Sequence, residues 1–210
     1  MITMKAAYLK DFLDKEAEYL TLAQLLLLNQ NPYWAAEVIV SGQKKITTTT
    51  QTIVDKVTKE ETKVEKTGPV VRNTEKNLKL LADSWRMAQE IDKAIPVLEQ
   101  AAKISKDGKA YVLLGNLYLS EDKIDLAVSA IKQGMKKGKI TKISAVHLTL
   151  GQAYFELQNF EDAKKQFRIA ARDKDKKIKT QVNNWIKYAE NEEIRVKNLA
   201  LRRDYIQSQS

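Results

Sequence analysis

The 210-residue chain has no cysteine and a single histidine. Without thiols there is no disulfide framework, no thiolate metal site and no cysteine nucleophile. A nucleophile, base and orienting group cannot be assembled around one imidazole, His147, so the composition argues against an enzyme. Seven glycines and three prolines leave few breaks, which favours long helices joined by short turns. Long apolar runs are also missing: Leu25–Leu28 with its neighbours is far too short to span a bilayer, which argues against membrane insertion. The opening stretch, MITMKAAYLKDFLDKEAEYL, has charges every few residues and no apolar h-region, so it is not a signal peptide. An exported form is expected to carry its leader upstream, which would make this chain a fragment.

Basic residues exceed acidic ones, 36 against 27, for a net charge of +9. Such an excess raises nucleic acid or an acidic partner as candidates. Much of it, however, lies in runs interleaved with acids or in connections, such as Lys136–Lys137–Gly138–Lys139 and Lys174–Asp175–Lys176–Lys177, where lysine solvates a surface. No zinc-finger spacing or recognition helix accompanies it, which argues against specific nucleic-acid binding.

The stretch from Ser144 to Arg172, SAVHLTLGQAYFELQNFEDAKKQFRIAAR, carries the clearest pattern. Leu150, Gly151 and Tyr154 share one helical face, a polar turn follows at Gln158–Asn159, and a second face bears Phe160, Ala163, Phe167 and Ala170. Small residues at 151, 163 and 170 let two antiparallel helices approach closely while the large ones fill the remaining volume. The residue types recur in register. Gly151, Ala163, Phe167 and Ala170 match Gly115, Ala127, Ile131 and Gly134, then Ala82, Ala94, Leu98 and Ala101, then Ala23, Ala35, Ile39 and Gly42. Each time the small residue of the first helix precedes that of the second by 12 positions.

The register sets the organisation. Units are expected at about 16–43, 74–104, 108–137 and 144–172 within one solenoid domain covering 1–210. Residues 4–15 read as the end of a helix, and about 178–205 as a capping helix. That helix covers the last unit with Val182, Trp185, Ile186 and Tyr188 and shows a polar outer face with Lys179, Asn183, Lys187, Glu190 and Glu193. Residues 45–67, KITTTTQTIVDKVTKEETKVEKT, break the period. Their threonines and the alternation around Ile53, Val57 and Val64 permit a β-hairpin or a mobile loop, as a tolerated insertion or as an element that contacts a partner. Gly68–Asn73 and Gly138–Lys142 read as matching connections, each opening on a glycine suited to a left-handed helix cap.

The helix–turn–helix unit resembles the tetratricopeptide repeat, whose units of about 34 residues stack into a solenoid. The resemblance implies an all-α fold, a right-handed superhelix of antiparallel helix pairs, here with a C-terminal capping helix and a Thr-rich insertion. The wording of residues 73–190, including NLKLLADSWRMAQEIDKAIPVLEQAAK, KAYVLLGNLYL and WIKYAENE, is similar to the C-terminal part of periplasmic tetratricopeptide proteins associated with TonB-type systems of γ-proteobacteria. It implies a periplasmic location, with the cytoplasm as the alternative, and an accessory adaptor role. The threonine-rich insertion departs from that family.

In this repeat class the first helix of each unit lines the concave surface. The matching positions are Lys76, Lys79, Asp83 and Arg86, then Lys109, Val112, Asn116 and Leu119, then Ala145, Leu148, Gln152 and Phe155. Val112, Leu119, Leu148 and Phe155 would form an apolar floor and Lys76, Lys79, Lys109 and Arg86 a basic shoulder, although Leu148 and Leu119 also fit a packing role. Repeat proteins that hold chaperone C-termini resemble one another in a Lys/Asn, Asn, Lys/Arg clamp. This chain has Lys79, Asp83, Leu113, Ala145 and Thr149 there, which argues against that ligand class. His147 takes the place of Tyr111 and Tyr19 and reads as a packing residue. The expectation is a non-enzymatic scaffold for a protein or peptide partner, acidic in character, with no cofactor, metal or small-molecule substrate. Self-assembly into a homo-oligomer or nucleic-acid association are the alternatives.

Overall fold

The computed structural model describes residues 2–54 and 61–209. Val57 and the centre of the Thr-rich insertion lie outside the described residues. In chain order the elements are α1 (Ile2–Leu9), α2 (Glu16–Leu28), α3 (Pro32–Lys44), β1 (Ile46–Val54), β2 (Glu61–Pro69), α4 (Glu75–Met87), α5 (Ile91–Ile104), α6 (Lys109–Ser120), α7 (Ile124–Lys137), α8 (Ile143–Glu156), α9 (Phe160–Ala170) and α10 (Lys176–Ser208). They divide into two compact units, Met1–Ser105 and Lys106–Ser210.

The repeat register is a packing register. α2 packs on α3, α4 on α5, α6 on α7 and α8 on α9. All sixteen aligned positions, four in each of the four pairs, are buried. The glycines mark the closest approaches. A methyl at Gly115 would meet Ile131 Cγ1 at 2.5 Å, and one at Gly151 would meet the Phe167 ring at 2.4 Å. Ala23 and Ala82 stand at the same offset, sixteen residues, before the buried Ile39 and Leu98.

A second periodicity lies in the turns. Gln30, Gln89, Asp122 and Gln158 all have φ between 55° and 61°, and each stands seven residues after the small residue of its first helix. The next N–H returns to the carbonyl five residues back: Asn31 to Leu26, Glu90 to Trp85, Lys123 to Tyr118 and Asn159 to Tyr154, each at 2.9 Å. This six-to-one bond after a left-handed residue is the Schellman ending, which satisfies carbonyls that the helix leaves open. Four times the left-handed position is filled without glycine, so each helix pair bears the steric cost at its own turn. The following helices start with Pro32 at the first position of α3 and with Asn159 accepting the Asp162 N–H at 3.2 Å in α9.

In the first unit, the expected helix at 4–15 is shorter. Asp11 takes φ 56° and Phe12 N–H reaches Ala7 O at 2.8 Å, so α1 closes with the same reversal and residues 10–15 form a connection. Lys45 holds this connection by pairing with Asp11 at 3.0 Å and Asp14 at 2.9 Å and donating to Leu13 O. Those two carboxylates raise the lysine pKa. The insertion takes its hairpin form: β1 and β2 are antiparallel from Ile46 opposite Pro69 to Val54 opposite Glu61. The Thr48 and Thr67 hydroxyls bond across it at 2.9 Å. Gly68 corrects the reading of a second helix-capping connection, because it lies inside β2 and pairs with Thr47. Only Gly138 caps a helix, with φ 74° at the end of α7. The hairpin is tied down at its base, where Val70 N–H bonds Lys45 O at 2.8 Å, Val71 N–H bonds Gly42 O at 2.9 Å, and Val71 is fully buried.

In the second unit, α10 closes the stack by packing on α9 and α8, burying Val182 and Ala189. It extends beyond both expected ends, from 176 to 208. Glu193 is not on its polar outer face. Its carboxylate turns inward and accepts from Lys164 and Lys197, each at 2.7 Å, while Lys164 also binds Glu161 at 2.7 Å. The Lys164 and Lys197 ammonium groups hold the Glu193 carboxyl down at about 2.

Candidate protein-binding site

The expected groove residues separate into three groups. On α4, Lys76 is exposed, but Lys79 is paired with Glu75 and Arg86 with Asp83 at 3.4 Å. Two of the expected basic residues are thus partnered by acids on their own helix. The i,i+4 and i,i+3 spacings place each pair on one face.

On α8 the expected floor is already occupied. Leu148 is buried in the core of the second unit and is unavailable to a ligand, which corrects its place in the groove. Phe155 stacks on Tyr188 of α10 with ring centres 5.0 Å apart and meets Trp185 and Phe160 edge-on. Trp185 in turn stacks on Phe167 at 5.7 Å. The capping helix therefore covers Phe155, which corrects its reading as open floor. Leu119 packs against the same core and Gln152 is half-buried. His147 Nδ1 lies 2.8 Å from Gln166 Oε1, a bond that joins α8 to α9.

The third group comes together. Lys109, Val112 and Asn116 of α6 line one concavity with Ala145, Val146 and Thr149 of α8 and Ile140, Thr141 and Lys142 of the connection before it. Its volume is about 230 Å³. Val112 and Ile140 supply apolar wall, Asn116 presents an exposed amide, and the rim carries two lysines and no carboxylate. Asp107 meets Lys109 at 3.5 Å beside it, leaving Lys142 as the one charge of the lining with no ion-pair partner among the described residues. The Thr149 hydroxyl donates to Ala145 O at 3.1 Å within its own helix.

The backbone that shapes this concavity depends on glycine. Gly108 N–H bonds Gly138 O at 2.8 Å, and a methyl on Gly108 would lie 1.9 Å from Gly134 O. The start of α6 is thereby pinned against the end of α7. The chain leaving Gly138 then brings Ile140 and Lys142 to the rim beside Lys109, Val112 and Asn116 of α6. Sequence reasoning missed these two residues. The signal was the longer step, 36 residues from Gly115 to Gly151 against 33 from Ala82 to Gly115, which marks extra chain in that connection.

Among the described residues no group of acidic or histidine side chains has the arrangement of a metal site. Among them, too, no helix is long and apolar enough to cross a membrane.

The family model of the tetratricopeptide repeat matches residues 108–136 and 144–171, the α6–α7 and α8–α9 pairs. No curated protein matches the chain by sequence. Among solved structures, the crystal structure of MamA is similar over 84% of this chain and 87% of its own, with 20% identity and a TM-score of 0.61. A double mutant of MamA from RS-1 is similar over 91% of this chain and 98% of its own, at 14% identity and a TM-score of 0.61. The TPR2B domain of yeast Sti1, solved as a complex with pHsp70, matches 56% of this chain and 97% of its own, at 10% identity and a TM-score of 0.50. At these identities the likeness is one of fold: the chain has the all-α architecture of a tetratricopeptide-repeat solenoid. That fold is associated with protein–protein interaction.

Proposed function

We propose that the chain is a non-enzymatic protein-binding module whose site is the α6/α8 concavity, and that its ligand is an extended peptide or a helix end bearing acidic side chains. The observation that carries this reading is the lining itself: Lys142, Lys109 with Asp107 beside it, an exposed amide and apolar wall, with no carboxylate among the lining residues. A concavity with a partly apolar wall and a few polar groups fixes orientation, while the lysines select charge. Peptide display against the chain and against its Lys109→Glu/Lys142→Glu variant tests it. Acidic sequences enriched by the first and lost with the second support the site; neutral or basic sequences enriched by both would overturn it.

In its finer form the module is an accessory adaptor of a TonB-type envelope system located in the periplasm. The wording of residues 73–190 supports this form. Fractionation of cells expressing the full-length protein is the check. Recovery in the periplasm, with inner-membrane energy-transduction components captured by wild type and not by the charge-reversed variant, is expected. Recovery in the cytoplasm removes the envelope reading and leaves the binding module intact.

A further inference from the structure

The second half of α10 is exposed on a face that repeats every three or four residues. Tyr188, Glu192, Arg195, Leu199, Arg202 and Ile206 form one stripe, and the eighteen steps from first to last are five turns, about 27 Å of helix. Three of the six large apolar side chains exposed on α10 lie in it, Tyr188 at 53%, Leu199 at 50% and Ile206 at 59%, while Ile194, Leu201 and Tyr205 lie on another face. At its N-terminal end the stripe opens on a concavity of about 430 Å³ lined by Gln181, Asn184, Trp185 and Tyr188. A stripe of this length that alternates apolar and charged side chains, on a helix that has already closed its own stack, is a surface suited to another helix.

The charges in the stripe select the occupant. A parallel copy of α10 would set Glu192 against Glu192, Arg195 against Arg195 and Arg202 against Arg202. An antiparallel copy centred on residue 197 sets Tyr188 opposite Ile206, Glu192 opposite Arg202 and Arg195 opposite Leu199, and all three pairs share that midpoint. Two-fold symmetry makes every pairing twice, so two Glu192–Arg202 pairs flank the centre. Glu192 is already ordered by Arg195 in its own chain, which binds both carboxylate oxygens at 2.8 and 2.5 Å, and about a fifth of its side chain stays exposed. The Arg195 stem lies along the facing Leu199, with its charge at the edge. Ile206 of the second copy comes down beside the Trp185–Tyr188 concavity. We propose that a second copy of this chain covers the stripe, forming an antiparallel, two-fold dimer through α10.

Sedimentation equilibrium of the whole chain and of charge variants tests this. Wild type is expected to dimerise reversibly. Glu192→Arg and Arg202→Glu should each raise the dimer dissociation constant at least about tenfold, because each places like charges together twice. The double exchange Glu192→Arg/Arg202→Glu should restore it to within about threefold of wild type. Orientation is read separately in this cysteine-free chain. A mixture of Arg195→Cys and Leu199→Cys copies should give the mixed disulfide in preference to either symmetric one. A wild-type chain that stays monomeric into the high micromolar range would overturn the proposal, whatever other partner then covers the stripe. So would single reversals without effect, a double exchange that fails to restore dimers, or symmetric disulfides in excess.

Discussion

Gly151 of α8 lies against the ring of Phe167 of α9 so closely that a methyl group at 151 would stand 2.4 Å from Cε1 and 2.5 Å from Cδ1. Phe167 is fully buried, and Trp185 stacks on its ring, so the ring has nowhere to retreat. Helix propensity alone makes Gly151→Ala stabilising by about 1 kcal/mol. Overpacking opposes it by about 1–3 kcal/mol. The net expectation is a loss of stability, read as a lower urea midpoint; a midpoint above wild type would mean that the pair is not in close contact. Gly68→Ala, with nothing within 4 Å, is the control without a clash.

The left-handed turns give a prediction of opposite sign. At Gln158, φ is 55°, and glycine adopts that conformation without the Cβ penalty. Gln158→Gly should raise stability by about 0.5–1 kcal/mol in denaturant unfolding. Gln158→Val should lower it by more than that, since a β-branched side chain fits the region poorly. Equal midpoints for all three would contradict the Schellman geometry.

The Glu193 network makes stability depend on acid. Its folded pKa, about 2, lies below the ordinary 4.5, so its contribution is complete above about pH 4.5. It is lost as pH falls from there through about 2. Glu193→Gln lacks the charge throughout, so the difference in unfolding midpoint between it and wild type should shrink over that window. A difference that stays constant from pH 6 to pH 2 would show that Lys164 and Lys197 do not hold the carboxylate.

Excising residues 47–68 and joining the ends with a short glycine link should leave the helices of the first unit folded. The described side chains of the hairpin are nearly all exposed, whereas Val70 and Val71, just beyond it, are buried. Shortening the loop changes closure entropy by only about 0.6 kcal/mol per halving. Thermal unfolding within a few degrees of wild type is the expected result. A cooperative loss of helix, followed by circular dichroism, would show that the hairpin supports the fold.

The helix register was readable because close packing imposes it: only a small residue fits opposite Phe167, Ile131, Leu98 or Ile39, so composition repeats wherever geometry does. The turns hid their geometry, because Gln30, Gln89, Asp122 and Gln158 share a backbone conformation and no side-chain property that signals it. The insertion stayed open between hairpin and loop, since four threonines favour strands without choosing a partner. Phe155 and Leu148 fell on groove positions by count, but a count says nothing of α10 folding back against one or of the core claiming the other. The α6/α8 concavity was half legible. Lys109, Val112 and Asn116 follow from the register, while Ile140 and Lys142 arrive through a connection whose path depends on Gly108 and Gly138.

The most direct test places a photo-crosslinking amino acid at Val112 inside the concavity and, as a control, at Leu126, exposed on α7. Irradiation in cells should give a discrete protein adduct from position 112, absent from position 126 and abolished by Lys109→Glu/Lys142→Glu. No adduct at 112, or the same adduct from both positions, would contradict a binding site in this concavity.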